Sequence, residues 1–263
     1  TDESEYSALG SLIFTQGNNF MLHFEHPLAR QRRRAKSAAR IPTPVALFCL
    51  ATLLPISGFA APVSFPLTAT FRDATAADWT FSGSLHTAAL TAPSPDAAGS
   101  GWLRLTDNNN GWQAGQAWIN STITPSQSLV VDFDYVIWDR GGDNPASPWA
   151  ADGMTFFLKD ASLGMNGPQL FGGAQGYCNS AGGYLGLSFD VSGVFSSGAG
   201  TTCTGGATGG SNSIMLRGPA NLNSPGVANV APAGTLSNPT ATTRPAVTRS
   251  AKVALYPFGL GRL

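Results

Sequence analysis

An all-β fold, an antiparallel β-sandwich, is the class this sequence predicts, and three observations carry the prediction. Residues 129–138 (Leu-Val-Val-Asp-Phe-Asp-Tyr-Val-Ile-Trp) and 151–158 (Ala-Asp-Gly-Met-Thr-Phe-Phe-Leu) are rich in the β-branched and aromatic residues that fit a pleated, half-buried surface. Beyond residue 62, strand signals recur about every 8–15 residues, and no 3.6-residue apolar stripe there runs past two turns. Finally, 31 Gly and 18 Pro among 263 residues suit many turns between short strands. No clean internal repeat runs through residues 62–263, which argues against propellers and solenoids.

Residues 1–20 show no clear periodicity. After Met21 comes a basic segment, Arg30-Gln31-Arg32-Arg33-Arg34-Ala35-Lys36, then an apolar run over residues 45–60 that closes on small residues, Ser57-Gly58-Phe59-Ala60-Ala61. Basic, apolar, small-residue is the order of a secretory signal peptide. The apolar run is 16 residues long and contains Pro55, shorter than the roughly 20 residues a membrane span needs. The arginines suggest a twin-Arg signal, but the Phe-Leu-Lys that would follow is missing, which favours the general export route. The expectation is that Met21 is the start, residues 1–20 are an untranslated, non-native upstream extension, and residues 21–61 are a signal peptide. Residues 62–263 would then be exported to the periplasm, the cell surface or the medium, with no membrane insertion once the signal is removed.

Beyond Pro62, the aromatics Phe65, Phe71, Trp79 and Phe81 mark short strands around residues 73–78. His86 follows alone and receives no role. Residues 92–101 are a Pro/Ser/Gly loop; Trp102-Leu103-Arg104-Leu105-Thr106 alternates as a strand, and Asp107-Asn108-Asn109-Asn110-Gly111 is a turn of residues that tolerate left-handed backbone. Residues 114–119 read as the returning strand of a hairpin. In the run at 129–138, Val131, Phe133, Tyr135 and Ile137 share one face and Asp132 and Asp134 the other, a sheet with a single covered face. The next run starts at Asp152-Gly153, a carboxylate at a strand edge beside a residue with no Cβ, a pairing that lets a ligand approach closely.

Cys178 and Cys203 are the only cysteines after the signal-like segment. In an exported chain such a pair suggests one disulfide stapling the Gly/Ser/Thr-rich stretch at 196–211. Ser213-Ile214-Met215-Leu216-Arg217 is the next strand, residues 219–245 read as a long flexible loop, and residues 249–256 return to alternation.

Charge narrows the function classes. The chain is formally neutral, but six of its 15 basic residues lie within residues 30–40 and four of its 15 acids precede residue 30. From residue 62 onward nine basic residues face eleven acids, so a basic nucleic-acid-binding face is not expected. All three glutamates (Glu3, Glu5, Glu25) precede Pro62, which removes a Glu–Glu glycosidase pair from the body while leaving an Asp pair open. His86 is the only histidine beyond Pro62, which removes a three-His zinc site.

Three stretches in order carry a resemblance to a known family. Ala151-Asp152-Gly153-Met154-Thr155-Phe156-Phe157-Leu158 resembles the Ala-Asp-Gly strand of the L-type (legume-type) lectins and their secreted bacterial relatives. Gly172-Gly173-Ala174-Gln175-Gly176-Tyr177 resembles that family's glycine loop, and Gly182-Gly183-Tyr184-Leu185-Gly186-Leu187-Ser188-Phe189-Asp190 its following strand ending in Phe-Asp. Ala77-Asp78-Trp79-Thr80-Phe81-Ser82-Gly83 is similar to the opening of bacterial lectin-like modules. The similarity covers residues 71–217 and, more weakly, extends to 255. It implies a concanavalin A-like jelly roll, with further strands to follow beyond residue 255, so that the domain here would be C-terminally incomplete.

The resemblance also implies a site. Asp152, followed by Gly153, would accept hydrogen bonds from sugar hydroxyls, and a backbone amide of Gly172 or Gly173 would donate one. An ionised carboxylate forms short, charge-assisted bonds with hydroxyls. Trp138 and Trp149 are candidates to cover the apolar face of a pyranose; Trp138, inside its strand, is better placed as core, and Trp149, in a Pro-rich loop, as a surface aromatic. The family's calcium and transition-metal ligands lie on and after the Phe-Asp strand. Asp190 matches the shared Asp, whereas Ser188 and Val194 stand where Glu and Asn are expected. Calcium takes about six to eight oxygens, and one matched carboxylate does not supply them, although Asp139, Asp143 and Asn144 offer oxygens nearby. The expected function is a secreted or surface module that binds glycans or polysaccharide without catalysis. The alternatives are a structural or adhesin-type surface domain that has lost sugar binding and, less favoured, a glycoside hydrolase of the same fold.

Overall fold

Alternation along residues 129–135 produces a strand whose odd positions are buried and whose even positions, Asp132 and Asp134 among them, are half-exposed. The computed structural model describes residues 8–15, 22–24, 67–107, 113–123, 129–138, 152–164, 171–178, 180–198, 201–206, 210–232, 234–238, 241, 243–246 and 248–256. In chain order the strands are β1 (Ala8–Thr15), β2 (Leu22–Phe24), β3 (Thr68–Ala69), β4 (Trp79–Ser84), β5 (Ala89–Leu90), β6 (Leu103–Arg104) and β7 (Ala114–Ile119). Then follow β8 (Leu129–Tyr135), β9 (Gly153–Asp160), β10 (Gly183–Asp190), β11 (Ser213–Arg217), β12 (Gly226–Val230) and β13 (Arg249–Leu255). Helix among the described residues is confined to α1 (Val194–Ser197) and three 3-10 turns, Ala161–Leu163, Gly172–Ala174 and Ala220–Leu222. None is long and apolar enough to cross a membrane.

Two antiparallel sheets make the sandwich. The larger has seven strands in the order β12-β11-β10-β9-β1-β7-β4, the smaller four in the order β13-β8-β2-β3, and β5 and β6 pair separately. One apolar core lies between them. The larger sheet contributes Met154, Phe156, Leu158, Phe189, Ala117 and Ile119; the smaller contributes Leu129, Val131, Phe133, Tyr135 and Val253. The rings of Phe133 and Tyr135 meet Phe189 across the layers at 5.7 and 5.1 Å between centroids, within the range of favourable aromatic pairs.

The larger sheet is covered a second time on its outer side. Phe157, Ala174, Tyr177, Cys178, Phe195, Cys203 and Met215 form a separate buried cluster there. That is why β9 is buried at seven successive positions where β8 alternates. A disulfide joins Cys178 to Cys203, as expected, with the Cα atoms 5.0 Å apart.

Three expectations need correcting. The hairpin read between residues 102–106 and 114–119 does not form: β6 pairs with β5, while β7 pairs with β4 and β1. Residues 219–245 are not uninterrupted loop, because β12 pairs with β11 at four positions, from Ile214 opposite Val230 to Arg217 opposite Gly226, with a register shift between Leu216 and Arg217. Trp138 follows β8 half-buried, bridging Asn238, rather than continuing the strand into the core. Ala8–Thr15, within the stretch read as upstream sequence, is built into the larger sheet as β1, and Leu22–Phe24, within the signal-like stretch, into the smaller sheet as β2. The rest of residues 1–61 lies outside the described residues.

Candidate functional site

The predicted site residues Asp152, Gly153, Gly172, Gly173 and Asp190 come from three separate elements and meet at one end of the larger sheet. β9 and β10 are neighbours with Gly153 directly opposite Asp190. Gly153 is at φ 141°, and a Cβ there would lie 2.3 Å from the Phe189 carbonyl oxygen. Only glycine meets both conditions, so the Asp-Gly pair is demanded by how tightly the two strands close. Val191 and Ser192 both donate their N–H to the Asp152 carbonyl, at 3.0 and 3.2 Å, which fixes the backbone on which the Asp152 carboxylate is mounted.

The glycine loop lies over this corner. Gly172–Ala174 forms a 3-10 turn closed by Gln175, whose N–H donates to the Gly172 carbonyl at 2.9 Å. Gly172, at φ 72°, sits so close to the carboxylate that a Cβ built on it would be 3.7 Å from Asp152 Oδ2. Gly173 rests against α1: a Cβ there would be 1.9 Å from Val194 Cγ1. The Asp152 carboxylate therefore lies against the backbone of the glycine loop.

Gln175 organises the site and was not singled out from the sequence. Its side-chain oxygen accepts from the Thr155 hydroxyl at 2.9 Å and from the Ser188 hydroxyl. Its amide nitrogen donates to the Asp152 carbonyl at 3.1 Å and to Asp190 Oδ1 at 3.2 Å. All four hydrogen-bonding positions of the amide are used, in a fully buried setting where an unmet polar group would be costly. Ser188, read as a missing metal ligand, is thus the loop's anchor on β10.

Asp190 is buried and held by protein donors on both oxygens. Oδ1 accepts from Gly193 N–H at 2.9 Å, besides Gln175 and Ser192, and Oδ2 accepts from Ser196 N–H at 2.6 Å. Burial pushes its carboxyl above the usual range, against the pull of these donors. Asp152 is also raised, first by burial and further by Asp190, while the Ser192 hydroxyl on Oδ1 at 3.2 Å opposes the shift. Of the two, only Asp152 keeps an oxygen, Oδ2, on the side of the glycine loop.

The calcium implied by the resemblance does not fit these residues. Both Asp190 oxygens already accept from N–H and O–H groups of the protein, and one further carboxylate nearby, Asp152, leaves the described residues short of the roughly six to eight oxygens calcium takes. No group of three or more His, Cys, Asp or Glu comes together among the described residues. Trp149, Asp139, Asp143 and Asn144 lie outside the described residues.

Arg217, at the end of β11, is a second residue missed from the sequence. It is fully buried, and its guanidinium donates to the carbonyls of Phe195, Ser196, Thr204, Gly205 and Ser224. It thereby ties α1, the disulfide-bearing segment and the β11–β12 connection beneath the site, with its carbon Cζ 5.1 Å from the Phe195 ring centroid. The alternation Ser213, Met215, Arg217 placed it on the covered face, which was the one available signal. Compared with protein-family models, curated proteins and solved structures, the chain matches none.

Proposed function

We propose that this domain binds carbohydrate without catalysis, through Asp152 Oδ2 and the backbone of the Gly172–Ala174 turn. The observation that carries the reading is the juxtaposition of that carboxylate oxygen with a side-chain-free turn. A sugar hydroxyl pair needs an acceptor and a donor a few ångströms apart, and a position without a Cβ leaves room for the ring to approach. The rigid support described above, Gln175 and Asp190 beneath and Arg217 further out, holds that geometry before any ligand arrives, so little ordering accompanies binding.

A second reading, a structural or adhesin-type domain that has lost sugar binding, draws support from a specific feature. Ser192 already occupies one oxygen of Asp152, and protein donors occupy both oxygens of Asp190. Glycan-array binding of the parent chain and of Asp152→Asn separates the two. Asparagine keeps the shape and an acceptor for Ser192 but removes the charge. The carbohydrate reading expects glycan signal that falls at least tenfold in Asp152→Asn while the thermal unfolding midpoint is retained. No binding by either protein would favour the structural reading, and equal binding by both would mean that sugar is held elsewhere than at Asp152.

A further inference from the structure

Two carboxylates meet at the corner between β9 and β10, and the backbone keeps them together. Gly153 lies opposite Asp190 in the register, so close that a Cβ on it would be 3.2 Å from the Asp190 Cα. The Ser192 N–H donates to the Asp152 carbonyl at 3.2 Å. Its hydroxyl oxygen then stands between the two side chains, 3.2 Å from Asp152 Oδ1 and 3.4 Å from Asp190 Oδ1. A serine hydroxyl carries one proton and donates it to one carboxylate at a time.

The other donors are divided unevenly. Asp190 accepts N–H bonds from Gly193, Ser196 and the Gln175 amide, whichever way the Ser192 hydroxyl turns. Such donors favour the ionised form. On β11, Arg217 feels the charge of Asp190, which favours that form further. The glycine turn and α1 carry no charged side chain, and the Tyr177 hydroxyl donates to the Gly218 carbonyl at 2.7 Å. Across the core, β8 brings Tyr135, opposite Arg249 of β13, while Lys159 and Asp160 lie at the far end of β9. Asp139, Arg140 and Asp143 lie outside the described residues. Two carboxylates in one buried corner hold a proton more readily than either would alone, and both are raised here.

Building on the carbohydrate reading above, on which this rests, we infer that Asp152 and Asp190 are a proton-sharing pair joined by Ser192, that Asp152 takes the proton, and that acid therefore releases a sugar from this corner. In the free site the proton sits on the Asp152 carboxyl. A sugar hydroxyl donating to Oδ2 favours the ionised carboxylate, so binding sends that proton to solvent. Sugar and proton compete for one group, and each lowers the affinity of the other by the same factor.

Titration of the Asp152 carboxyl by carbon-13 NMR, its signal assigned by its loss in Asp152→Asn, tests the pair without any ligand. The parent is expected to titrate above the value of about 4 of a free carboxyl. Asp190→Asn removes the second charge and should bring the midpoint down; Ser192→Ala removes a donor and should push it up. A parent midpoint at or below the free value, or one that neither variant moves, would overturn the inference. Release is read by repeating the glycan array through a pH series, with folding followed by circular dichroism. Glycans lost by Asp152→Asn should lose about half their affinity at the NMR midpoint and about tenfold per pH unit well below it. Affinity that stays constant through that midpoint would overturn the release. No glycan signal at any pH overturns the carbohydrate reading and the release with it, while the carboxyl titration separately decides the pair.

Discussion

β8 and β9 lie on opposite sides of one core and face different surroundings on their far sides. β8 turns Asp132 and Asp134 towards solvent, where they meet Lys252 at 3.5 Å and the Ser250 hydroxyl at 2.5 Å. β9 turns Thr155, Phe157 and Lys159 under a second cover made by the glycine loop, the disulfide and α1. The first strand needs only one packed face, as antiparallel sheets commonly do. The second carries a buried polar assembly, the kind of structure that rigidifies when every member is satisfied. The difference marks out the candidate site: the doubly covered strand starts beside Asp152, at Gly153, and the cover itself supplies the other wall.

Breaking the cover should therefore cost far more than breaking the solvent face. Arg217→Met keeps the aliphatic length but leaves five carbonyls without their donor; a loss of about 3–5 kcal/mol in urea unfolding is expected, the size typical of a disrupted buried charged network. A loss below about 1 kcal/mol would mean that the cover does not depend on it. Next in size comes the disulfide. Replacing Cys178 and Cys203 together by Ala frees a link of sequence separation 25, and a loop of that length corresponds to about 3.5 kcal/mol. If the comparison holds, hydrogen exchange speeds up in the glycine loop and α1 before it does in β8.

How far the sequence reveals this asymmetry depends on what sets each element. β8 was legible because local alternation alone decides which of its faces is wet. β11 and β13 were legible for the same reason. β12 was not, since its residues are mostly exposed and small; pairing with β11 makes it a strand, not its own pattern. Asp152, the glycine loop and Asp190 could be named from their motifs, yet Gln175 could not be ranked above its neighbours. Its four partners, on Asp152, Thr155, Ser188 and Asp190, come together only once β9 and β10 pair and the loop folds across them. A buried hub is a property of tertiary contact, which leaves no periodic trace in the chain.

The site pair Asp152 and Asp190 should also titrate in the opposite sense to a third carboxylate, Asp96, which pairs with Arg244. Asp152 and Asp190 have raised folded-state values, chiefly through burial. Between the unfolded value and the raised one, the native state holds more protons, so this pair makes stability fall as pH rises through that window. Asp96 is lowered, first by its hydrogen bonds with Arg244, at 2.7 and 2.8 Å. Its contribution is present above the unfolded value and is lost as pH falls through the folded one. Thermal midpoints measured from acid to neutral pH are therefore expected to decline less steeply on the rising-pH side in Asp152→Asn. On the acid side the decline should be shallower in Arg244→Met. Unchanged slopes in both variants would show that neither carboxyl is shifted.

The smallest effect is expected on the wet face of β8, and its smallness is the point. Lys252 faces Asp132 across the β13–β8 register, but the lysine side chain is 60 % exposed and the N···O distance is 3.5 Å. Solvent screens such a pair, and holding a long side chain in place costs rotamer entropy, so exposed pairs typically contribute no more than about 1 kcal/mol. Lys252→Ala should shift the urea midpoint within that margin and leave hydrogen exchange in β9 unchanged. A loss approaching that of Arg217→Met would mean that β8 is held from its far side as well. The two strands would then differ in solvent contact but not in what secures them, and double covering would no longer mark out the corner where Asp152 meets the glycine loop.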